Sequence, residues 1–322
     1  MATLGLNALT LSDWGGRLDP NGKVAEITEV LANSNEVLDD AAWIEGNLPT
    51  GHRTTVRTDL PTVSWRKLNY GIKPSKSRTK QIDDSCGMLE SYAEMDKALS
   101  DLNGHSSNFR TSEERAFLEA MNKEFADTFV YGDTALEPEK FLGLAPRFNS
   151  LEHKNVINFG GSGDNCTSIW IVCWSDQTVH FTFPRGSSNG LNHKDLGEVT
   201  LEDAGGGKYQ GLRTHYKWTP GLVVRDWRYV VRIASIDPEN LGSNSLRHAL
   251  IEGLNMIPNT NMGRTAIYCN QTVKTLLDIE ASDKNNVMLK SENWEGKPVT
   301  TFWGCPVRRV DSILNTEAAI TA

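Results

Sequence analysis

GHRTTVRTDLPTVSWRKLNYGIKPSKSRTK, residues 51–80, is where this chain gathers its positive charge. Arg53, Arg57, Arg66, Lys67, Lys73, Lys76, Arg78 and Lys80 face the single acid Asp59. The segment is therefore about +7; the whole chain carries −8, which leaves about −15 on the remainder. Opposite fields of this size steer association and fix register. The expected geometry is a docking of one copy's basic segment on the acidic body of another. Pro49-Thr50-Gly51 opens the segment, Asp59-Leu60-Pro61 reads as its turn, and Val56, Val63, Trp65 and Leu68 alternate as in a strand pair. Such a hairpin has few apolar residues for a core of its own and must find a partner elsewhere.

The 322 residues are enough for one large domain or two modest ones, and 39% hydrophobic with 23% charged residues is ordinary globular composition. The net negative charge argues against a dedicated nucleic-acid binder. No run of 18 apolar residues predicts a membrane span, and the N-terminus lacks the basic region of a signal peptide. Cys86, Cys166, Cys173, Cys269 and Cys305 are scattered and odd in number, which predicts free, mostly buried thiols of a reducing compartment.

Around the basic hairpin the chain reads in order. Residues 1–46 are an arm with short helices, marked by a capping box at Thr10–Asp13 and a cap at Asp19-Pro20. Met88, Leu89, Tyr92, Met95, Leu99 and Leu102 fall at helical spacing. Thr111–Glu114 reads as a second capping box, followed by Phe117, Leu118, Met121, Phe125 and Phe129 on one face and a C-cap at Gly132. From about residue 155 strands dominate: Val156–Phe159, Ile169–Trp174, Val179–Phe183, Gly211–Trp218 and Leu222–Ile233. A helix over Ser245–Met256, a strand at Ala266–Cys269, a helix capped by Asn270 and strands at Val287–Leu289, Val299–Trp303 and Val307–Val310 complete an α+β pattern.

Chemistry is sparse. Gly160-Gly-Ser-Gly163 lacks the Lys-Ser/Thr of a phosphate loop and reads as a turn, as does Ala204–Gly207. The histidines show no metal spacing, so no metal, cofactor or catalytic residue is assigned. A hydrolase built on His180 or His215 with a nearby carboxylate is the competing reading, with no motif at catalytic spacing behind it. Among nine tryptophans, Trp14, Trp43 and Trp65 lie in the arm and hairpin, and they are read as interface anchors rather than local packing. Arg53, Arg57, Arg66 and Lys67 are the cations expected to join them in an intersubunit surface.

Several segments resemble a major capsid protein of a short-tailed bacteriophage: Gly46-Asn-Leu-Pro-Thr-Gly-His-Arg-Thr-Thr-Val-Arg57, Leu60–Trp65, Asp84–Leu89, Tyr131-Gly-Asp, Phe141–Pro146, Trp218–Ile233 and Phe302–Val307. Their co-linear order carries the likeness. The resemblance implies the Hong Kong 97-type (HK97-like) capsid fold: an arm over 1–46, an extended loop over 47–84, a peripheral domain with a long spine helix over 85–154, an axial domain over 155–296, and strands over 297–322 that return to the peripheral domain before a loose tail. The spine is expected over 86–131. It implies self-assembly through hexamers and pentamers into an icosahedral shell around double-stranded DNA, in the virion, after assembly in the host cytoplasm. Implied partners are a separate scaffolding protein, a portal and a cement or decoration protein. The DNA would be touched only weakly, and no membrane or covalent crosslink is expected. A cellular encapsulating compartment of the same fold is the alternative.

Overall fold

A computed structural model describes residues 35–101, 106–203, 205–239, 243–282, 289–294 and 297–320. The N-terminal caps and Trp14 lie outside the described residues. So does most of the strand expected at Val287–Leu289.

The core is organised by one strand whose two faces are both buried. In β6 (Thr167–Trp174) every residue is buried, and the side chains alternate between two apolar clusters. Trp170, Val172 and Trp174 face one way, onto Phe125, Phe129 and Phe181. Ile169, Ile171 and Cys173 face the other, onto Leu246, Leu250, Leu254, Val273 and Leu277. Period-two alternation with apolar residues on both sides is what a central strand requires. Burying each such aliphatic side chain contributes about 1.5–3 kcal/mol, which makes this strand the thermodynamic centre of the subunit.

A ten-stranded sheet grows from β6. On one side stand β7 (Val179–Phe183) and the short β1 (Trp43–Glu45), with β10 (Gly221–Val224) also on β7. The other side carries β12 (Arg264–Cys269), β15 (Cys305–Arg309), β14 (Lys297–Phe302) and β13 (Leu289–Trp294). β11 (Val230–Ile236) pairs with β6 and carries β5 (Val156–Asn158). Between β10 and β11 a 3-10 turn at Trp227–Tyr229 breaks what the sequence suggested was one strand. Asp226 caps it by accepting from the Arg228 amide, so the polar pair Arg225-Asp226 is taken up by a turn.

The four-residue α1 (Val37–Asp40) precedes β1, and three longer helices among the described residues flank the sheet. The 26-residue α3 (Ser106–Tyr131), about 39 Å long, packs Met121, Phe125, Phe129 and Val130 inward. Its start precedes the capping box expected at Thr111–Glu114. Gly132 ends it as expected, for a reason of space: a Cβ there would lie 2.5 Å from the Phe141 carbonyl and 2.6 Å from that of Thr128. On the opposite face lie α4 (Ser243–Met256) and α5 (Gln271–Ser282), the latter capped by Asn270, whose Oδ1 accepts from the Val273 amide at 3.0 Å.

Four expectations are corrected. The helical stripe expected from Met88 to Leu102, the first part of the spine placed over 86–131, is instead β4 (Leu89–Asp96) followed by the five-residue α2 helix (Lys97–Asp101). Cross-strand pairing decides this: Glu90 opposes Lys217, Tyr92 opposes His215, and Glu94 opposes Arg213 on the outer face, while Ala93 and Met95 are buried. Second, β9 (Lys208–Trp218) and β8 (Asn192–Glu202) pair with β4 in a separate three-stranded sheet beside α3, although they fall within the segment assigned to the axial body. Third, the strands near 299–311 do not join that small sheet; they extend the large one from β12. Fourth, the basic hairpin does not turn at Asp59–Pro61. Strand β2 (Gly51–Asp59) pairs with β3 (Arg78–Ser85), so Val63, Trp65 and Leu68 belong to a long tip rather than to a returning strand.

Candidate intersubunit surface

The hairpin has a root, a shaft and a tip, and each differs chemically. At the root the chain closes on itself without room for side chains. A Cβ on Gly51 would lie 2.0 Å from the Asp84 carbonyl oxygen, and one on Gly46 2.4 Å from that of Gly51. Asn47 grips the first strand with its carboxamide: its Nδ2 donates to the Arg53 carbonyl at 2.8 Å and its Oδ1 accepts from the Arg53 amide at 2.7 Å.

Buried polar groups then bolt the root to the body. The Asp84 carboxylate, 3% exposed, accepts from Arg147 Nη2 at 2.8 Å. Arg147 also donates to the carbonyls of Leu142, Gly143 and Leu222. Arg225 Nη2 donates to His52 Nε2 at 2.9 Å. Since guanidinium has no acceptor, this bond selects the His52 tautomer with its proton on Nδ1. The His52 ring meets that of His180 edge-on at 5.5 Å, and both nitrogens of His180 are buried without a hydrogen-bond partner among the described residues. Burial, then the Arg225 charge, then His52 push the His180 imidazole down to about 3. His52 is lowered for the same first two reasons, opposed by Asp84. Both histidines are thus held neutral.

Along the shaft, Arg53 makes a bidentate pair with Asp83 across the strands at 2.6 Å, and Asp59 lies 3.9 Å from Arg78. The other six cations of residues 51–80 make no ion pair among the described residues. Arg57 borders an open cleft of about 780 Å³ between the shaft and the Arg225–Arg228 turn.

The tip, residues 60–77, holds no regular structure. Leu60, Val63, Trp65, Leu68, Tyr70 and Ile72 are 52–103% exposed there, with Trp65 the most exposed. Isolated exposed apolar residues are normal; six within thirteen residues of one projecting segment point to a contact surface. Arg66, Lys67, Lys73 and Lys76 lie among them, all exposed.

The expected site residues therefore separate. Arg66, Lys67 and Trp65 share the projecting tip, whereas Arg57 sits on the paired shaft and makes no ion pair among the described residues. Arg53 lies near the root and spends its charge on Asp83. Trp43 is corrected: its ring stacks on Phe181 at 4.9 Å and lies 5.7 Å from Trp218 and 6.3 Å from Phe125, so it packs into its own subunit. β1 places it there by pairing with β7. Sequence reading missed His52, Asp84, Arg147 and Arg225, which fix the root. The available signal was the pair Gly46 and Gly51 around a tight turn, which announces close backbone approach.

The subunit is thus an α+β body with a long helix against a small sheet and a basic hairpin standing off it. The bacteriophage JBD30 capsid is similar in fold, at 11% identity with a TM-score of 0.51, over 89% of this chain and 95% of that one. A chain in the cryo-EM structure of bacteriophage Epsilon15 is 32% identical with a TM-score of 0.74, and all of both chains is covered. No protein of curated function matches. The chain belongs to the family of major capsid protein GP7, which it matches over residues 19–321, and is a shell-forming protein of a tailed phage with the HK97-like capsid fold.

Proposed function

We propose that this subunit builds an icosahedral shell around double-stranded DNA from hexamers and pentamers, with each hairpin laid over the acidic body of the next copy. In this reading the three-stranded sheet and α3 form the peripheral domain, and the large sheet with α4 and α5 forms the axial one. The observation that carries it is the tip: six exposed apolar residues and unpaired cations, on a chain that is otherwise acidic. Exposed ion pairs contribute only about 0.2–1 kcal/mol each. Assembly then rests on many weak contacts, which permits correction before closure. A scaffolding protein, a portal and a cement or decoration protein are the partners that follow, with assembly in the host cytoplasm, weak DNA contact and no covalent crosslink.

The role proposed is structural and not catalytic. His180 sits in the large sheet and His215 in the small one, so the two do not form one site. His215 Nε2 lies 3.2 Å from Glu90, but that carboxylate is engaged by Lys217 at 2.9 Å as a cross-strand pair. Electron microscopy with size-exclusion mass tests the proposal. Closed shells, or rings of five and six, are expected; a strict monomer, even with its scaffold supplied, would overturn it. A denaturing gel of the shells should show one band, and a ladder would refute the absence of crosslinks.

A further inference from the structure

We infer that Trp65 of one copy seats in a pocket at the foot of the next copy's hairpin, between Met88, Leu89, Phe141 and Pro220, with Arg66 and Lys67 facing the carboxylates around it. This deepens the shell reading and rests on it, since it names the surface that receives the tip.

The pocket is open and has a volume of about 250 Å³, of the order of one large aromatic side chain. Gly87, Met88, Leu89, Phe141 and Pro220 form its apolar wall, and Glu124, Thr128, Glu139 and Lys140 complete the lining. Met88 is 69% exposed, an unbranched thioether free to close over a ring. The surroundings are acidic. Residues 123–140 carry Glu124, Asp127, Asp133, Glu137 and Glu139 against Lys123 and Lys140. Lys140 already pairs with Glu124 at 3.0 Å and Glu137 at 2.8 Å. Burial and then the neighbouring Glu124 charge raise the Asp127 carboxyl, with Lys140 opposing.

Geometry decides that the occupant is a second copy. The pocket begins at Gly87, two residues beyond Ser85, which pairs with Gly51 at the base of the hairpin. The nine residues of β2 carry the chain about 30 Å from that base before the tip begins. A paired ribbon cannot fold back over that distance, so the tip and pocket of one chain are out of each other's reach. Two different surfaces on one molecule, complementary in shape class and charge, make a head-to-tail contact, and such contacts close into rings where the rotation allows. Tryptophan and arginine are also the residues that most often dominate interfaces.

The test is a photo-crosslink in assembled particles. Trp65→p-benzoyl-phenylalanine is introduced, particles are purified by sedimentation from cells making the head proteins, irradiated, and the adduct is mapped by mass spectrometry. Adducts between copies on Met88, Leu89 or Phe141 are expected. Adducts between copies elsewhere would overturn the pocket and leave the overlapping hairpin standing. Adducts within one chain, or none between copies, would overturn both. Met88→Asp is the second variant. It should leave the circular dichroism spectrum unchanged, because the side chain is exposed, and lower shell yield at least about tenfold, equivalent to about 1.4 kcal/mol in the assembly equilibrium. Wild-type shell yield from Met88→Asp refutes the inference even if the crosslinking variant fails to assemble.

Discussion

Replacing Arg147 with Met should release the hairpin root while leaving the large sheet folded. Among the described residues, Arg147 is the only cation within ion-pair distance of the buried Asp84, and Asp84 Oδ2 has no hydrogen-bond partner. Methionine keeps much of the aliphatic volume and removes the charge. What remains is a carboxylate buried without a counter-ion, together with the carbonyls of Leu142, Gly143 and Leu222 deprived of a donor. Breaking one side of a buried pair typically costs about 3–5 kcal/mol. The cost falls on β3 and its neighbour β2, because Asp84 lies opposite His52 in their ladder. Hydrogen exchange resolved by segment is the assay. Amides of 51–59 and 78–85 should exchange roughly 100-fold faster or more at a 3 kcal/mol loss, while those of β6 stay protected. Asp84→Asn in the same background should recover most of the loss, since an amide carries no charge to desolvate. A loss below about 1 kcal/mol, or no recovery in the double variant, would refute the account of a charge-locked root.

Acid should weaken the same root. His180 and His52 have folded-state values below that of a free imidazole, so their neutral forms support the fold fully above about pH 6.5, and stability falls as pH drops toward the His180 value of about 3. Urea midpoints at pH 7 and pH 4.5 should differ less in His180→Leu than in the parent; an unchanged difference would show that other groups govern it. Gly51→Ala should disorder the hairpin at its base, read as lost protection in β2 and β3, because the added Cβ meets the Asp84 carbonyl at 2.0 Å. Trp43→Ala should cost about 2–4 kcal/mol in subunit unfolding, somewhat under the range for wholly buried tryptophan. Trp65→Ala should leave unfolding unchanged and reduce shell yield, and the reverse pattern would exchange the roles given to these residues.

How much of this was legible depends on where each segment's partner lies. Ile169–Trp174 reads as a strand because its residue types suit a buried ribbon and no competing period is present, and the structure extends it back to Thr167. Leu89–Asp96 carries two patterns at once. Met88, Leu89, Tyr92, Met95 and Leu99 match a helix, yet Glu90, Tyr92 and Glu94 find partners on β9 more than a hundred residues away. Local periodicity cannot register such a pairing, and the ladder wins. The hairpin's charge and projection were visible in composition, whereas its turn was misplaced, because Leu60-Pro61 ends β2 without starting a return strand. Trp43 shows the same limit: an indole on a short edge strand looks available until β7 is seen beside it. The polar root is harder still. His52, Asp84, Arg147, His180 and Arg225 come from five separate stretches and become a unit only in space.

A shaft clamped at one end is a lever. With about 30 Å between root and tip, a tilt of ten degrees at the base swings the far end by about 5 Å, while the atoms around Asp84 and His52 move by fractions of that. Subtle repacking where the hairpin leaves the body is thereby amplified at the tip, where the proposed contact with a neighbour lies. In the proposed shell, one and the same chain would then serve flat and sharply curved parts by small adjustments at its pivot, with its large sheet unchanged.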